Sequence, residues 1–120
     1  MIRVYYNGHL DVSTKKIYDW LHLYKIKFEI INEKNITKNI VKKMLSLSDY
    51  GFSEILVNKK ASTGLNKTIY SKYKIDNLST EELIQLILVY PSLLRSPIIY
   101  DDKKILVGCD RYELRRFLAD

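Results

Sequence analysis

A strand, a helix and a second strand follow one another at the start of the chain, and this order constrains the fold most. Ile2–Tyr6 is rich in β-branched and aromatic residues and predicts a strand, and Lys27–Asn32 predicts another. A strand, helix and strand in this length form a right-handed crossover unit, so we expect the two strands to be parallel. We expect Ser13 or Thr14 to cap the helix between them. Its apolar face is predicted to carry Ile17, Trp20, Leu21 and Tyr24.

The end of the chain predicts a hairpin and a last helix. SPIIYDDKKILVG reads as two apolar strands around an Asp-Asp-Lys-Lys turn, and Asp110 with Glu113 suits the start of a helix. Added to the parallel pair, the hairpin gives a mixed four-stranded sheet with helices packed on it, which is an α/β, thioredoxin-like fold. That fold usually has a cis proline before its third strand, and Ser96-Pro97 stands at this place.

The middle of the chain is predicted to be a helical insertion. Thr37 is expected to cap a helix that ends before Gly51, which suits a left-handed turn at the end of that helix. The segment SEILV predicts a short helix, and the lysine-rich segment Asn58–Asn77 predicts a long, mobile or functional loop. A capping box at Ser79 and Glu82 begins the next helix. We expect one domain over 1–120, with a core formed by 1–34 and 91–120 and an insertion at 35–90.

The charge and the cysteine count limit the classes of function. The chain has 20 Lys+Arg against 14 Asp+Glu and a net charge of +6, which favours a partner that carries phosphate or acidic groups. Its single cysteine, Cys109, excludes an internal disulfide and a thiolate zinc cluster. No apolar run approaches the roughly 18 residues that span a bilayer. MIRVYY lacks the layout of an export signal, so we expect a cytoplasmic protein that does not bind a membrane.

The turn after the first strand is the usual place for chemistry in such a fold, yet it contains no thiol. His9 and Asp11 lie there without a nucleophile, and Cys109 is isolated from both. We therefore expect no catalytic residue, no metal site and no cofactor, and we favour a binding protein over an enzyme. Lysines before and within the insertion, together with tyrosines at 70 and 73, could lie near nucleic acid and contact phosphate.

The C-terminal third resembles the Spx branch of the Spx/ArsC family. LLRSPIIYDDKKILVGCDRYELRRFL is similar to the family's end, and LSDYGFSEI is similar to a helix end whose glycine falls on Gly51. The family usually has Cys-x-x-Cys, or one catalytic cysteine, in the first turn. Alignment on Trp20-Leu21 puts Asp11 and Thr14 at those places, whereas alignment on the first strand puts Leu10 and Ser13 there. Arsenate reductases of the family also use two arginines, one in the insertion and one before the cis proline; these positions fall on Lys59 and Ser96, with Arg95 one residue early.

The resemblance implies a regulator of transcription that binds the C-terminal domain of the RNA polymerase α subunit. It implies that Gly51 lies at the interface, and the flanking Tyr50 and Phe52 are candidate contacts. Promoter DNA would be met only within that complex, and a monomer is expected. Candidate anion or DNA contacts are Lys15, Lys16, Lys59 and Arg95. Two alternatives stay open: an arsenate-reductase-like thiol oxidoreductase that uses Cys109, and a catalytically inactive paralogue that binds another protein.

Overall fold

Four short strands form one mixed sheet in the computed structural model, which describes residues 1–8 and 11–118. The sheet order is β2-β1-β3-β4, with β1 parallel to β2 and the other neighbours antiparallel. The predicted α/β, thioredoxin-like fold with its parallel pair and its hairpin is thereby confirmed. The strands are β1 (Ile2–Tyr5), β2 (Phe28–Ile31), β3 (Ile98–Tyr100) and β4 (Ile105–Val107).

Helices of very different length cover both faces of this sheet. Short 3-10 turns follow several of them, at Lys59–Ala61, Ile75–Asn77, Pro91–Leu93 and Arg115–Phe117. Within the described residues, no helix is long and apolar enough to cross a membrane. The α-helices are α1 (Val12–Leu23), α2 (Lys38–Leu47), α3 (Phe52–Ile55), α4 (Gly64–Lys72), α5 (Thr80–Val89) and α6 (Arg111–Leu114).

The apolar side chains divide into two cores, one on each face of the sheet. Along β1, Val4 packs on the face covered by α1 and α6, whereas Tyr5 packs on the face covered by α2, α3 and α5. In β3, Ile98 and Ile99 divide in the same way. Successive side chains of a strand point to opposite faces, so each strand contributes to both cores. The helical insertion therefore packs directly on the sheet, in the core that contains Tyr5 and Ile98.

Several local predictions are confirmed. Thr37 caps α2 through its hydroxyl, which accepts the N–H of Ile40 at 3.3 Å. Ser79 and Glu82 form a reciprocal capping box at the start of α5, with bonds of 3.0 and 3.2 Å. The Ser96-Pro97 peptide bond is cis.

The predicted cap of α1 was wrong. Asp11 caps this helix, because its carboxylate accepts the N–H of Thr14 at 2.8 Å. Thr14 is fully buried in the first turn of the helix instead of preceding it. The predicted apolar face is right for Ile17 and Leu21, but Tyr24 is half exposed beyond the helix end.

The prediction of a long loop over 58–77 was also wrong. The segment forms a 3-10 turn, the helix α4 and a second 3-10 turn. Ile69 is 2% exposed in the core between the sheet and the insertion, and Tyr70 and Tyr73 pack against that core. Packing of these apolar residues helps to stabilise a helix among many lysines, because tertiary packing provides most helix stability.

Two helix ends differ from the prediction. Gly51 has the expected positive φ, but α2 already ends at Leu47 and Gly51 instead precedes α3. Asp110 caps α6 as predicted, yet the helix is only one turn long before it becomes a 3-10 turn. The carboxylate of Glu113 pairs with Arg116 at 3.0 Å.

Candidate functional site

The turn between α2 and α3 is held in one shape by short hydrogen bonds. Ser48 Oγ accepts the N–H of Gly51 at 3.1 Å and donates to the carbonyl of Leu45 at 2.8 Å. The carboxylate of Glu54 accepts the N–H of Asp49 at 3.2 Å, and Ser53 Oγ donates to the carbonyl of Tyr50 at 2.9 Å. These bonds fix the turn at both ends, so residues 49–52 present a preformed surface.

Gly51 lies at the tip of this turn with an unusual backbone conformation. Its φ is +64° and its ψ is −136°, a combination that side chains strongly disfavour. Apart from Gly51 itself and its two chain neighbours, no heavy atom would lie within 4 Å of a Cβ at this position, so the surrounding space is open. A side chain here would project into that space, where it would obstruct a close partner.

The two aromatic residues beside Gly51 have different environments. Tyr50 is 77% exposed, whereas Phe52 is half buried and packs against the insertion's core. Tyr50 is therefore the more accessible of the two candidate contacts. Phe52 supports the turn from inside and retains only part of its surface for contact.

The β1–α1 corner holds the residues that the resemblance compares with the family's cysteines. Asp11 is exposed at the N-terminus of α1, Ser13 is half buried and Thr14 is fully buried. Leu10 and His9 lie outside the described residues. Asp11 is thus the N-cap of α1 and Thr14 lies in the first turn of that helix. Neither residue can undergo thiol exchange.

Asn7, which the sequence did not single out, connects this corner to the cis-proline segment. Its side-chain amide donates to the carbonyls of Pro91 and Leu94 at 3.3 and 3.0 Å. Its backbone N–H donates to Ser96 Oγ at 3.2 Å. An asparagine just after a strand is a weak signal, because its partners lie more than eighty residues away. Ser96, which aligns with an arginine used by the family's arsenate reductases, thus accepts a structural hydrogen bond here.

Two buried hydroxyls lie on α1 near the corner. Among the described residues, Thr14 Oγ1 and the Tyr18 hydroxyl have no hydrogen-bond partner. Burial raises the pKa of Tyr18 to about 12, with a smaller contribution from Tyr6. Its ring stacks on Phe28 at 5.4 Å between centroids, so packing rather than hydrogen bonding holds this side chain.

The four candidate contacts for anions or DNA separate into two pairs. Lys15 and Lys16 are exposed on the first turn of α1, next to the Asp11 cap. Lys59 and Arg95 instead line a cleft in the helical insertion. The structure brings together the members of each pair, but it does not give all four residues one common pocket.

Cys109 lies on the face of the sheet that α1 and α6 cover, opposite the helical insertion. It is half buried, packs against the core formed by α1 and α6, and lines a groove of about 390 Å³ with Lys16 and Arg115. Asp11 and Thr14 do not line that groove. The thiol therefore does not occupy the place at the start of α1 that thiol chemistry in the resembled family requires.

The chain belongs to the ArsC family, whose model matches residues 14–117. The global transcriptional regulator Spx of Streptococcus pneumoniae R6 is 34% identical over 110 residues, which cover 88% of this chain and 77% of that protein. The protein of the same name from Lactiplantibacillus plantarum is 34% identical over 118 residues, covering 96% of this chain and 85% of that protein.

Solved structures share the fold. A Staphylococcus aureus COL protein has a TM-score of 0.76 at 19% identity, covering 97% of each chain. The arsenate reductase from Vibrio cholerae has a TM-score of 0.64 at 15% identity, covering 98% of this chain and 94% of its own. At these identities the likeness describes the architecture.

Proposed function

We propose that this protein regulates transcription by binding the C-terminal domain of the RNA polymerase α subunit, without a redox disulfide switch. The relatives at 34% identity carry the name global transcriptional regulator, which supports regulation by binding over catalysis. The preformed turn with Gly51 at its tip is the observation that carries the proposal. A bare backbone beside open space permits close approach of a second protein.

The contact surface that we propose is formed by Tyr50, Gly51 and the accessible part of Phe52. Tyr50 supplies an exposed aromatic ring, a residue type that often dominates interface energetics. Because the turn is already hydrogen-bonded, little conformational entropy is lost when it is covered. The protein acts as a monomer in the cytoplasm and requires no cofactor or metal.

Promoter DNA is met only within the polymerase complex. Lys15 and Lys16, exposed on the first turn of α1, are the proposed phosphate contacts. Such contacts add affinity that falls with salt and carry no base readout. These contacts therefore give this chain no base-specific choice of promoter.

The test is a calorimetric titration of the isolated α-subunit domain with wild type, Gly51→Arg and Gly51→Ala. Wild type is expected to bind with a Kd of micromolar or below. Gly51→Arg, which adds bulk at the tip, should weaken binding by at least about tenfold, or about 1.4 kcal/mol. Gly51→Ala carries the same backbone strain with little bulk and serves as the matched control, with a much smaller loss. Absence of binding by folded wild type, or equal loss in both variants, contradicts the proposed surface.

A thiol oxidoreductase that resembles arsenate reductase is the second candidate, since a structural neighbour has that name. The groove that contains Cys109, with Lys16 and Arg115, is the observation that would favour it, because cations stabilise a thiolate. A thiol-coupled arsenate assay on wild type and Cys109→Ser tests it. If wild type reduces arsenate and Cys109→Ser does not, the protein is a thiol oxidoreductase and our proposal is wrong. Binding to some protein other than the polymerase, with no turnover, would indicate an inactive paralogue.

A further inference from the structure

A cleft of about 470 Å³ opens on the helical insertion between α3, the 3-10 turn at Lys59–Ala61, α4 and the start of α5. Cavities of this size accommodate small molecules in many proteins. Asp11, Thr14 and Ser96 do not line it, so it is separate from the β1–α1 corner. Much of its wall is apolar, formed by Phe52, Leu56, Val57, Ile75, Leu78 and Leu83.

Two cations line the same cleft. Arg95 is half buried, and its Nε donates to the carbonyl of Leu56 at 2.6 Å, which fixes the guanidinium in place. Within the described part of the chain, the terminal nitrogens of Arg95 have no hydrogen-bond or ion-pair partner, and neither has the ammonium of Lys59. A positioned guanidinium with unused donors is well suited to a planar carboxylate, which it binds through two parallel bonds.

Tyr70 and Asp76 also line the cleft, and Asp76 limits the negative charge that a bound ligand can carry. The hydroxyl of Tyr70 donates to the carbonyl of Val57 at 2.6 Å. Burial raises the pKa of Tyr70, while Arg95 opposes that change and Asp76 adds to it; both charged residues line the cleft with Tyr70. The Asp76 carboxylate would repel a second negative charge on a ligand. A monoanion is therefore favoured over a dianion.

We propose that this cleft binds an amphipathic monoanion, a carboxylate that carries an apolar chain. The carboxylate lies between Arg95 and Lys59, and the chain packs against the apolar wall near Leu78 and Leu83. A second cleft of about 550 Å³ shares Lys59 and Tyr70 with the first. The site neither rests on the proposed function nor requires it, although Phe52 lies in the cleft wall next to Gly51.

The test is a nuclear magnetic resonance titration of the full ¹⁵N-labelled chain with octanoate, and separately with 1-octanol and inorganic phosphate. Octanoate combines charge and apolar chain, whereas each of the other probes has one of these properties. We expect saturable shifts for octanoate at amides around the cleft, and at most weak, non-saturating shifts there for the other two. If octanol binds as tightly as octanoate, the cleft recognises only the apolar chain. If phosphate binds as tightly, it recognises only the negative charge. Either result overturns the proposal.

Adjacent lysines provide the matched variants. Lys59→Gln is expected to weaken octanoate binding by at least about fivefold, whereas Lys60→Gln should leave it unchanged, because Lys60 does not line either cleft. Both side chains are exposed, so neither change threatens the fold. Arg95→Gln should abolish the saturable shifts that octanoate causes at the cleft. The spectrum of this variant without ligand shows whether the chain remains folded. Equal octanoate affinity in the two lysine variants, or saturable shifts only elsewhere on the protein, would reject the site.

Discussion

Asp11 stabilises the N-terminus of α1 as its capping residue. Its carboxylate accepts the N–H of Thr14 at 2.8 Å and puts negative charge at the N-terminus of α1. Both effects favour the helix. Asp11→Ala is expected to lower the free energy of unfolding by about 1 kcal/mol, while Asp11→Asn, which retains the cap, should lose only a few tenths. Urea unfolding of the two variants measures the difference, and equal losses would show that the cap contributes nothing.

Asp101 makes the stability of the hairpin depend on pH. Burial raises the pKa of this carboxyl, but the N–H groups of Lys103 and Lys104 and the Lys104 ammonium outweigh burial and hold the pKa below its usual range. A depressed pKa stabilises the folded state above the unfolded pKa of about 3.9, and that stability is lost as the pH falls through the folded value.

We therefore expect Asp101→Asn to cost about 1 kcal/mol of unfolding free energy near pH 7. The difference from wild type should shrink as the pH falls below about 4, because wild type then loses its own charge. Urea midpoints at several pH values measure this. Asp102→Asn is the control, since its side chain is exposed. A difference that stays constant down to the lowest pH would show that the charge of Asp101 is not responsible.

At the scale of elements, α4 shows how few apolar contacts define a helix. Ile69 is 2% exposed, whereas Leu65 on the same helix is 57% exposed. Ile69→Ala is expected to cost about 2–4 kcal/mol, and Leu65→Ala less than about 0.5 kcal/mol. Thermal or urea unfolding compares the two variants directly. Similar small costs at both positions would mean that this segment packs on the insertion only loosely.

Elements with strong local signals could be predicted from the sequence. The capping box at Ser79 and the parallel pair of β1 and β2 depend on residues close in the chain, and both were correct. The helix α4 could not be predicted, because its apolar residues are spaced among lysines and its stability comes from packing against distant helices. The start of α1 was missed for a different reason: Ser13, Thr14 and Asp11 are all good caps, and only tertiary burial of Thr14 selects Asp11.

The resemblance alone suggested Gly51 and Tyr50 as candidate contacts, and that role stays a prediction. The positive φ of Gly51 was expected from its residue type and is confirmed. The half-buried state of Phe52 and the pairing of Lys59 with Arg95 in one cleft were not predictable. Both depend on α3 and α5 meeting across the insertion, which no local pattern records.

At the scale of the whole molecule, the proposed partner surface and the only thiol lie on different parts of the protein. The surface belongs to the turn between α2 and α3, whereas Cys109 packs with α1 and α6 across the sheet. A chain with one cysteine cannot form an internal disulfide. A disulfide within this chain therefore cannot reshape the Gly51 turn.

The most direct test of the account is the Kd for the α-subunit domain, measured by calorimetry in dithiothreitol and again in diamide, a disulfide-promoting oxidant. Cys109→Ser, measured in both conditions, controls for oxidation of the thiol between molecules. We predict binding in both conditions with Kd values that agree within about twofold. A larger change in wild type, or no binding in either condition, would contradict a redox-independent regulator that binds the polymerase.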